Sequence, residues 1–296
     1  MMTRKKRSLA RAVLLLIVVV CLVQMVREYS LSVKHKKEQE ELASILQVGE
    51  VVEKAAKALK DTVVIMPEAI TGSNAAAVSE TGAGNRSENS FEILPEEGSL
   101  PQPVIMDKYT ELYAENNDLA GWLSIPGMVI DYPVMQCEDN EYYLHHNYYG
   151  EEDKYGCLFV KDIADINTPG TNFIIYGHNM KDGSMFGDLD EYREKSFYEE
   201  HSKITFDTLY EERTYEIMAV FLSHVYKSDE EGFRYYQFYQ ADTEEEFNDF
   251  YENVMEMALY ETGITAEFGD TFLTLSTCAY HEEDGRLVVV AKWVDV

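Results

Sequence analysis

A cysteine near the C-terminal end of the chain lies where a reactive thiol would be expected. Cys278 ends an apolar, β-branched segment, residues 271–278, and a polar stretch separates it from a second apolar segment, residues 287–291. This pattern predicts a strand, a loop and a strand. It places the Cys278 thiol at the end of one strand and the Arg286 guanidinium at the start of the next. The thiolate is the reactive form of cysteine, and a nearby cation or base favours it.

Histidine is the usual base for such a thiol, and a β-rich segment upstream ends in one. Residues 172–178 read Asn-Phe-Ile-Ile-Tyr-Gly-His. A strand that ends at His178 can meet a strand that ends at Cys278, and Arg286 would then donate hydrogen bonds to a developing oxyanion or to a substrate backbone.

The residues alone leave other roles open for these three side chains. A cysteine can be a buried structural thiol, a lone histidine is more often structural, and an arginine that opens a strand is usually a surface charge. The sequence also offers competing histidines, the nearest to Cys278 being His281; the competitors are His145, His146, His224 and His281.

Two motifs resemble those of the class B sortases. One is Leu275-Ser-Thr-Cys278 with Arg286 eight residues further on, and the other is Tyr176-Gly-His-Asn-Met-Lys-Asp-Gly-Ser-Met-Phe186. The resemblance extends over about residues 105–296. It implies a membrane-anchored cysteine transpeptidase of Gram-positive bacteria, which cuts a sorting signal near the C-terminus of a secreted protein and joins the new C-terminus to an amine.

The resemblance also implies a role for each matching residue. Cys278 would attack the threonyl carbonyl of the sorting signal and form a thioester, His178 would act as general acid and base, and Arg286 would bind the oxyanion or a substrate carbonyl. The residues expected to line the substrate groove are Asn140, Leu144, Tyr176 and Ser276. Ala279 follows the cysteine where some relatives carry an acidic residue, so a contact from that position is not expected.

Three functions follow from these motifs. The first is cleavage after Thr of a signal of the Asn-Pro-x-Thr-x kind, followed by transfer of the protein to a peptidoglycan amine. The second is a pilin-polymerising sortase with a lysine acceptor, and the third is a non-catalytic, wall-associated scaffold with the same fold. Because the three expected catalytic residues are present, the scaffold is disfavoured. A papain-like hydrolase is disfavoured because its cysteine precedes its histidine.

The charge of the chain is unevenly distributed. Residues 1–104 hold 13 basic and 13 acidic side chains, whereas residues 105–296 hold 12 basic and 41 acidic ones, which accounts for the whole net charge of −29. Such an acidic domain argues against nucleic-acid binding, because phosphates would repel it. The favoured interpretation is that the negative charge keeps the surface of the domain soluble. A more specific alternative is that it attracts the cationic amines of the cell wall.

The remaining cysteines give no sign of a metal or an organic cofactor, and we expect neither. Cys21, Cys137 and Cys157 lie outside any Cys-x-x-Cys or His-rich spacing. A disulfide between Cys137 and Cys157 is conceivable in an extracellular protein. The neighbouring residues favour a loop position for Cys137 and a buried strand position for Cys157. No loop has the ligand spacing of an EF-hand calcium site.

The N-terminal segment predicts a membrane anchor. Residues 1–11 are basic, and an apolar run follows, so residues 1–27 are expected to form a cytoplasmic tip and a signal anchor that leaves the rest of the chain outside. A cleaved signal peptide is the alternative, but no Ala-x-Ala site follows the run. Residues 28–61 show a helical apolar stripe, interrupted at Gly49, that predicts a juxtamembrane stalk.

The rest of the chain divides into a linker and a catalytic domain. Residues 62–104 are rich in Ser, Gly, Ala, Glu and Pro and predict a flexible linker. Residues 105–296 predict helices at 107–120 and 243–258, the second capped by Asp242 or Thr243. The strands are expected at 121–126, 128–135, 156–160, 172–176, 204–209, 213–222, 271–278 and 287–291. This pattern favours a mainly β fold, a closed eight-stranded sortase-type β-barrel with an N-terminal helix and a helix before the last strands.

Overall fold

The computed structural model describes residues 4–63, 104–167, 170–279 and 284–294. The predicted flexible linker, residues 62–104, lies outside this described part except at its two ends. His281, the competing histidine nearest to Cys278, lies outside it as well.

The first helix, α1 (Arg4–Val63), continues from the apolar segment through the predicted stalk without a break. The interruption expected at Gly49 is absent. A Cβ atom at Gly49 would lie only 2.6 Å from the carbonyl oxygen of Lys108, so glycine lets the helix touch the backbone of the domain. The first half of the stalk therefore packs on the domain, whereas Val52 and Leu59, further along the apolar stripe, face solvent. The buried residues of the packed half are His35, Glu38, Gln39, Leu42 and Leu46.

The helix predicted at residues 107–120 is shorter than expected. A 3-10 turn (Asp107–Tyr109) leads into α2 (Thr110–Glu115), and the first strand begins at Leu119. Leu119 and Ala120 are buried in this strand, so their apolar side chains belong to the sheet and not to the helical stripe.

Eight strands form a single sheet whose pairings run in a ring. In chain order they are β1 (Leu119–Ser124), β2 (Asp131–Met135), β3 (Leu158–Phe159), β4 (Asn172–Gly177), β5 (Lys203–Thr208), β6 (Thr214–His224), β7 (Phe272–Cys278) and β8 (Gly285–Val294). Their order around the ring is β1-β2-β3-β4-β7-β8-β6-β5, and β5 pairs again with β1. Most pairs are antiparallel, but β2 and β3 run parallel, and so do β4 and β7, which end at the same edge of the sheet.

Three groups of apolar side chains stabilise this arrangement. The largest fills the interior of the ring, with contributions from β4, β7 and β8 such as Ile175, Leu275 and Val289. The second lies under α1 and α2. Two further helices follow in the chain, the short α3 (Lys195–Glu200) and the longer α4 (Glu244–Met257), which precedes β7. The third apolar group lies under α4. The Thr243 side chain caps α4 in a capping box with Glu246, as predicted for one of the two candidate caps.

Candidate active site

The parallel pair β4 and β7 brings the predicted histidine and cysteine to neighbouring strand ends. Gly177 lies opposite Thr277 in this pair, and Tyr176 lies opposite Ser276. The next residues in the two segments are His178 and Cys278. Neighbouring strands are about 4.8 Å apart, and alternate side chains share one face of a sheet. His178 and Cys278 therefore occupy neighbouring positions on the same face of the sheet, and both are half-buried.

The antiparallel pair β7 and β8 adds the guanidinium. Cys278 lies directly opposite Arg286 in this pair, so both side chains project from the same face. Nη1 of Arg286 donates to the carbonyl oxygens of Asp284 at 3.1 Å and Gly285 at 2.9 Å. A guanidinium carries five N–H donors, so these two bonds fix its position and leave donors to offer to a substrate.

Two hydrogen bonds hold the two strand ends in register. The Thr277 hydroxyl donates to the carbonyl oxygen of Gly177 at 2.8 Å. The Asn179 amide donates to the carbonyl oxygen of Cys278 at 2.8 Å, and also to the Asp190 carboxylate at 3.2 Å. Sequence reasoning did not single out Asn179, although it directly follows His178 in the motif. It couples the backbone of the cysteine to the segment that carries the histidine.

A third contact orients the imidazole itself. Nε2 of His178 lies 2.8 Å from the carbonyl oxygen of Leu144, in the 3-10 turn Tyr142–Leu144. A carbonyl oxygen only accepts hydrogen bonds, so Nε2 is the donor and carries a proton. The other nitrogen, Nδ1, carries no proton in the neutral imidazole, so it is the atom that can take one up and release it again from the charged ring.

Leu144 and Tyr176, two of the predicted groove residues, lie beside the histidine. Both are half-buried and pack against the apolar group under α1 and α2. The Tyr176 ring stacks on Phe159 with ring centroids 5.6 Å apart, and the Lys161 ammonium lies 5.3 Å from its centroid. Burial and the neighbouring Tyr239 hydroxyl raise the pKa of Tyr176, so its hydroxyl stays protonated. These two residues form a wall next to the candidate catalytic groups.

Asn140 and Ser276, the other two predicted groove residues, make contacts within the protein. The Asn140 amide donates to the Asp162 carboxylate at 2.8 Å and its oxygen accepts from the Asp162 backbone N–H at 2.9 Å. The Ser276 hydroxyl is buried and lies 2.8 Å from the Tyr235 hydroxyl. Asn140 thus holds the loop that contains Asp162, and Ser276 holds the segment around Tyr235, which packs over β7. Tyr235 was missed because only the fold brings residues so distant in sequence together.

The competing histidines in the described part of the chain have other neighbours. The His146 ring stacks on Tyr142, and His224 lies 3.0 Å from the Glu230 carboxylate. Cys137 and Cys157 are free thiols, so the conceivable disulfide is absent. Burial raises the pKa of the Cys157 thiol well above its ordinary value, which keeps it protonated and unreactive. Within the described residues, no group of three or more His, Cys, Asp or Glu side chains could hold a metal ion.

A thiol, an imidazole and a guanidinium at one edge of three adjacent strands, β4, β7 and β8, define a cysteine acyl-transfer type of site. The thiol can attack a carbonyl, the imidazole can exchange a proton with an amine, and the guanidinium can donate to an oxyanion.

Comparison with known proteins gives the family. The model of the sortase domain matches residues 123–294, and the chain belongs to the sortase family. It is 36% identical over 197 residues to sortase B of Listeria monocytogenes, an alignment that covers 64% of this chain and 75% of the relative. These findings make it a cysteine transpeptidase of the sortase B kind.

Solved structures agree with this assignment. Sortase B from B. anthracis in complex with AAEK1 matches with a TM-score of 0.57 and 35% identity, covering 68% of this chain and 91% of the other. A Staphylococcus aureus sortase B–substrate complex matches with a TM-score of 0.59 and 27% identity, covering 65% of this chain and 87% of the other. The expectation of a class B sortase is confirmed, and the alternative of a non-catalytic scaffold finds no support in these relatives.

Proposed function

We propose that this chain cleaves a C-terminal sorting signal of the Asn-Pro-x-Thr-x kind after Thr and transfers the secreted protein to a peptidoglycan amine. The observation that carries the proposal is the alignment of His178, Cys278 and Arg286 on the adjacent strands β4, β7 and β8.

The reaction proceeds in two acyl transfers. The Cys278 thiol passes its proton to His178 as its sulfur attacks the threonyl carbonyl carbon, and the peptide bond breaks as the His178 imidazolium gives this proton to the leaving amine. The product is a thioester on Cys278. The acceptor amine then attacks the thioester carbon and loses a proton to His178, and the Cys278 sulfur leaves as a thiolate that regains its proton from His178 as the new amide forms.

Arg286 stabilises both tetrahedral intermediates in this mechanism. Each attack places negative charge on the carbonyl oxygen, and a preorganised donor aimed at that oxygen lowers the barrier. Two observations support this role: Arg286 pairs with Cys278 across β7 and β8, and the backbone carbonyls of Asp284 and Gly285 hold its guanidinium. Leu144 and Tyr176 form the apolar side of the substrate groove, while Asn140 and Ser276 support it from behind through Asp162 and Tyr235.

We propose that the N-terminal part of α1 anchors the enzyme in the cell membrane of a Gram-positive bacterium. The stretch is apolar enough to cross a membrane, with a mean hydropathy of 2.0 in its most apolar window, and none of that window is buried in the protein. The basic residues 4–11 stay in the cytoplasm, so the catalytic domain lies outside.

A peptide assay tests the reaction. The enzyme fragment should begin near residue 28 and not near residue 100, because part of α1 packs on the domain. We expect it to cut a quenched Asn-Pro-Gln-Thr-Asn peptide after Thr and to ligate the product to a wall-type peptide amine. Cys278→Ala should abolish both steps, whereas the matched control Cys137→Ala should retain them. Ligation to a lysine-bearing pilin peptide but not to the wall-type amine would assign a pilin acceptor instead.

A further inference from the structure

The part of the domain that contacts α1 nearest to the apolar segment includes the loop that follows His178. We propose that this surface, around Lys154 and Lys181, docks on the anionic headgroups of the membrane that holds α1. The loop from His178 to Asp182 then lies at the membrane surface. This inference rests on the proposed membrane anchor and goes beyond it, because an anchor alone does not fix where the active site lies.

The contacts begin directly after the apolar segment, which ends at Val26. The Glu28 carboxylate forms an ion pair with the Lys154 ammonium. One turn further on, the Ser32 hydroxyl donates to the Asp182 carboxylate at 3.0 Å, and the same carboxylate oxygen accepts from the Tyr155 hydroxyl at 2.8 Å. Two segments of the domain therefore touch α1 within six residues of its apolar part.

The geometry of an α-helix shows how far these contacts lie from the hydrocarbon core of the bilayer. With a rise of about 1.5 Å per residue, Glu28 and Ser32 lie roughly 3 and 9 Å beyond Val26 along the helix axis. The headgroup layer on each side of a bilayer is about 5–8 Å thick. Lys154 and Asp182 contact these two residues, so both reach the headgroup layer or its outer edge.

The apolar segment is short for a membrane span, which draws the domain towards the bilayer. Residues 12–26 are uninterrupted by charge, and as a helix they span only about 22 Å of a hydrocarbon core about 30 Å thick. A short span is accommodated by local thinning of the bilayer or by drawing the flanking residues inwards. Both effects bring Glu28 and its partner Lys154 closer to the lipid.

The charge of this end of the protein differs from that of the rest. Residues 27–37 of α1 carry four basic side chains and one acidic side chain, whereas residues 105–296 carry 12 basic and 41 acidic ones. Lys181 is exposed and lines, with Lys154 and Tyr29, a cleft of about 470 Å³ between α1 and the loop. The two carboxylates of this cleft already have partners inside the protein, Glu28 in Lys154 and Asp182 in Ser32 and Tyr155, so Lys181 is left to face the lipid. Basic residues next to a membrane-spanning helix are attracted to anionic lipids.

This placement has a consequence for the reaction. Asn179 and Met180, which directly follow His178, line the same cleft. The edge of the active site then opens close to the headgroups, which favours substrates that present their cleavage site at the bilayer surface.

Depth-dependent quenching in proteoliposomes tests the proposal on the full chain. A fluorophore is attached at Met180→Cys, which lies in the same loop and leaves Lys154 and Lys181 in place, in a background of Cys21→Ser, Cys137→Ser and Cys278→Ala that keeps the buried Cys157. The matched control carries the fluorophore at Phe268→Cys, an exposed site that packs against Phe247 of α4. Phe268 precedes the start of β7, whereas the loop after His178 follows the end of the parallel strand β4, so about 20 Å of strand separates the two sites.

We expect headgroup-labelled nitroxide lipids to quench the fluorophore at position 180 several-fold more than the one at position 268, and more in anionic than in zwitterionic bilayers. A seven-residue helical insertion after Val26 lifts the domain by about 10 Å with nearly the same orientation, and should reduce the quenching at 180. Equal quenching at the two sites, or quenching unchanged by the insertion, would overturn the proposal. Quenching equal in the two lipids would remove the role of anionic headgroups.

The peptide assay on the unlabelled proteoliposomes separates this inference from the proposed function. Quenching as expected without ligation leaves the membrane docking intact and overturns the transpeptidase proposal. Ligation without site-dependent quenching supports the transpeptidase proposal and overturns the membrane docking.

Discussion

Nε2 of His178 lies 2.8 Å from the carbonyl oxygen of Leu144. This contact assigns the imidazole tautomer, because a carbonyl oxygen accepts but does not donate. It also makes Leu144 a residue that orients the general acid and base through its backbone, in addition to packing beside the groove.

We therefore predict that neutral His178 carries its proton on Nε2. The ¹⁵N chemical shifts of histidine-labelled enzyme, with His178→Ala to assign the signals, measure the tautomer directly. A neutral imidazole protonated on Nδ1 would contradict the orientation described for the site.

A second prediction concerns Asn179. Its amide ties the Cys278 carbonyl to the segment that carries His178, and Asn179→Asp removes the donor, keeps the size of the side chain and places a second carboxylate beside Asp190. A lost hydrogen bond costs about 0.5–1.5 kcal/mol and the repulsion adds to it, so we expect kcat to fall by roughly tenfold or more with KM little changed.

The control for this prediction is Asn253→Asp, which changes an exposed asparagine of α4. Its kinetics should match those of the unmodified enzyme. An increase in KM alone for Asn179→Asp would place this residue in substrate binding and not in positioning.

The packing of α1 on the domain leads to a stability prediction. Leu42 is fully buried in the interface, whereas Leu59 on the same helix is 68% exposed. We expect Leu42→Ala to destabilise the docked helix by about 2–5 kcal/mol and Leu59→Ala by about 0.5 kcal/mol or less. Amide hydrogen exchange over residues 35–50 measures the difference, and equal exchange in both variants would mean that α1 does not dock.

Docking of α1 should also depend on pH through His35. This buried ring stacks on Tyr155 with centroids 4.2 Å apart, and burial lowers its pKa despite the nearby Asp153 and Asp182 carboxylates, which act in the opposite direction. The unfolded chain, with a histidine pKa near 6.5, takes up a proton before the folded one does. The stability contributed by neutral His35 is therefore complete above about pH 6.5 and is lost as the pH falls below it.

The comparison of unmodified enzyme with His35→Gln isolates this effect. Burial raises the pKa of Glu38, so its protonation favours the folded state as the pH falls and partly offsets the loss. Glu38 is present in both proteins, and we expect the Tm of His35→Gln to fall less than that of the unmodified enzyme between about pH 7.5 and about pH 5.5. Parallel Tm curves would contradict the assignment.

Local patterns predicted the elements that carry the chemistry. The apolar runs that end at His178 and Cys278 gave strands within one residue of those observed, β4 and β7, and their shared edge follows from parallel pairing. The start of β1 was assigned to a helix because Leu119 fits both the helical stripe and the strand.

Contacts between distant segments could not be predicted in this way. No local signal shows that Gly49 lies against the backbone of Lys108, so it was interpreted as a break in a stalk. The bonds of Ser276 to Tyr235 and of Asn140 to Asp162 likewise depend on which loops cover the sheet. These two residues match the family pattern by position, and their part in a substrate groove stays a prediction.

The proposed reaction depends on a thioester between Cys278 and the substrate. The most direct test is mass spectrometry of the enzyme after reaction with an excess of the Asn-Pro-Gln-Thr-Asn peptide in the absence of an acceptor amine. We predict an adduct with the mass of the peptide up to its threonine, located on Cys278, released by hydroxylamine and absent from Cys278→Ala. Cleavage of the peptide after threonine that persists in Cys278→Ala would contradict this account.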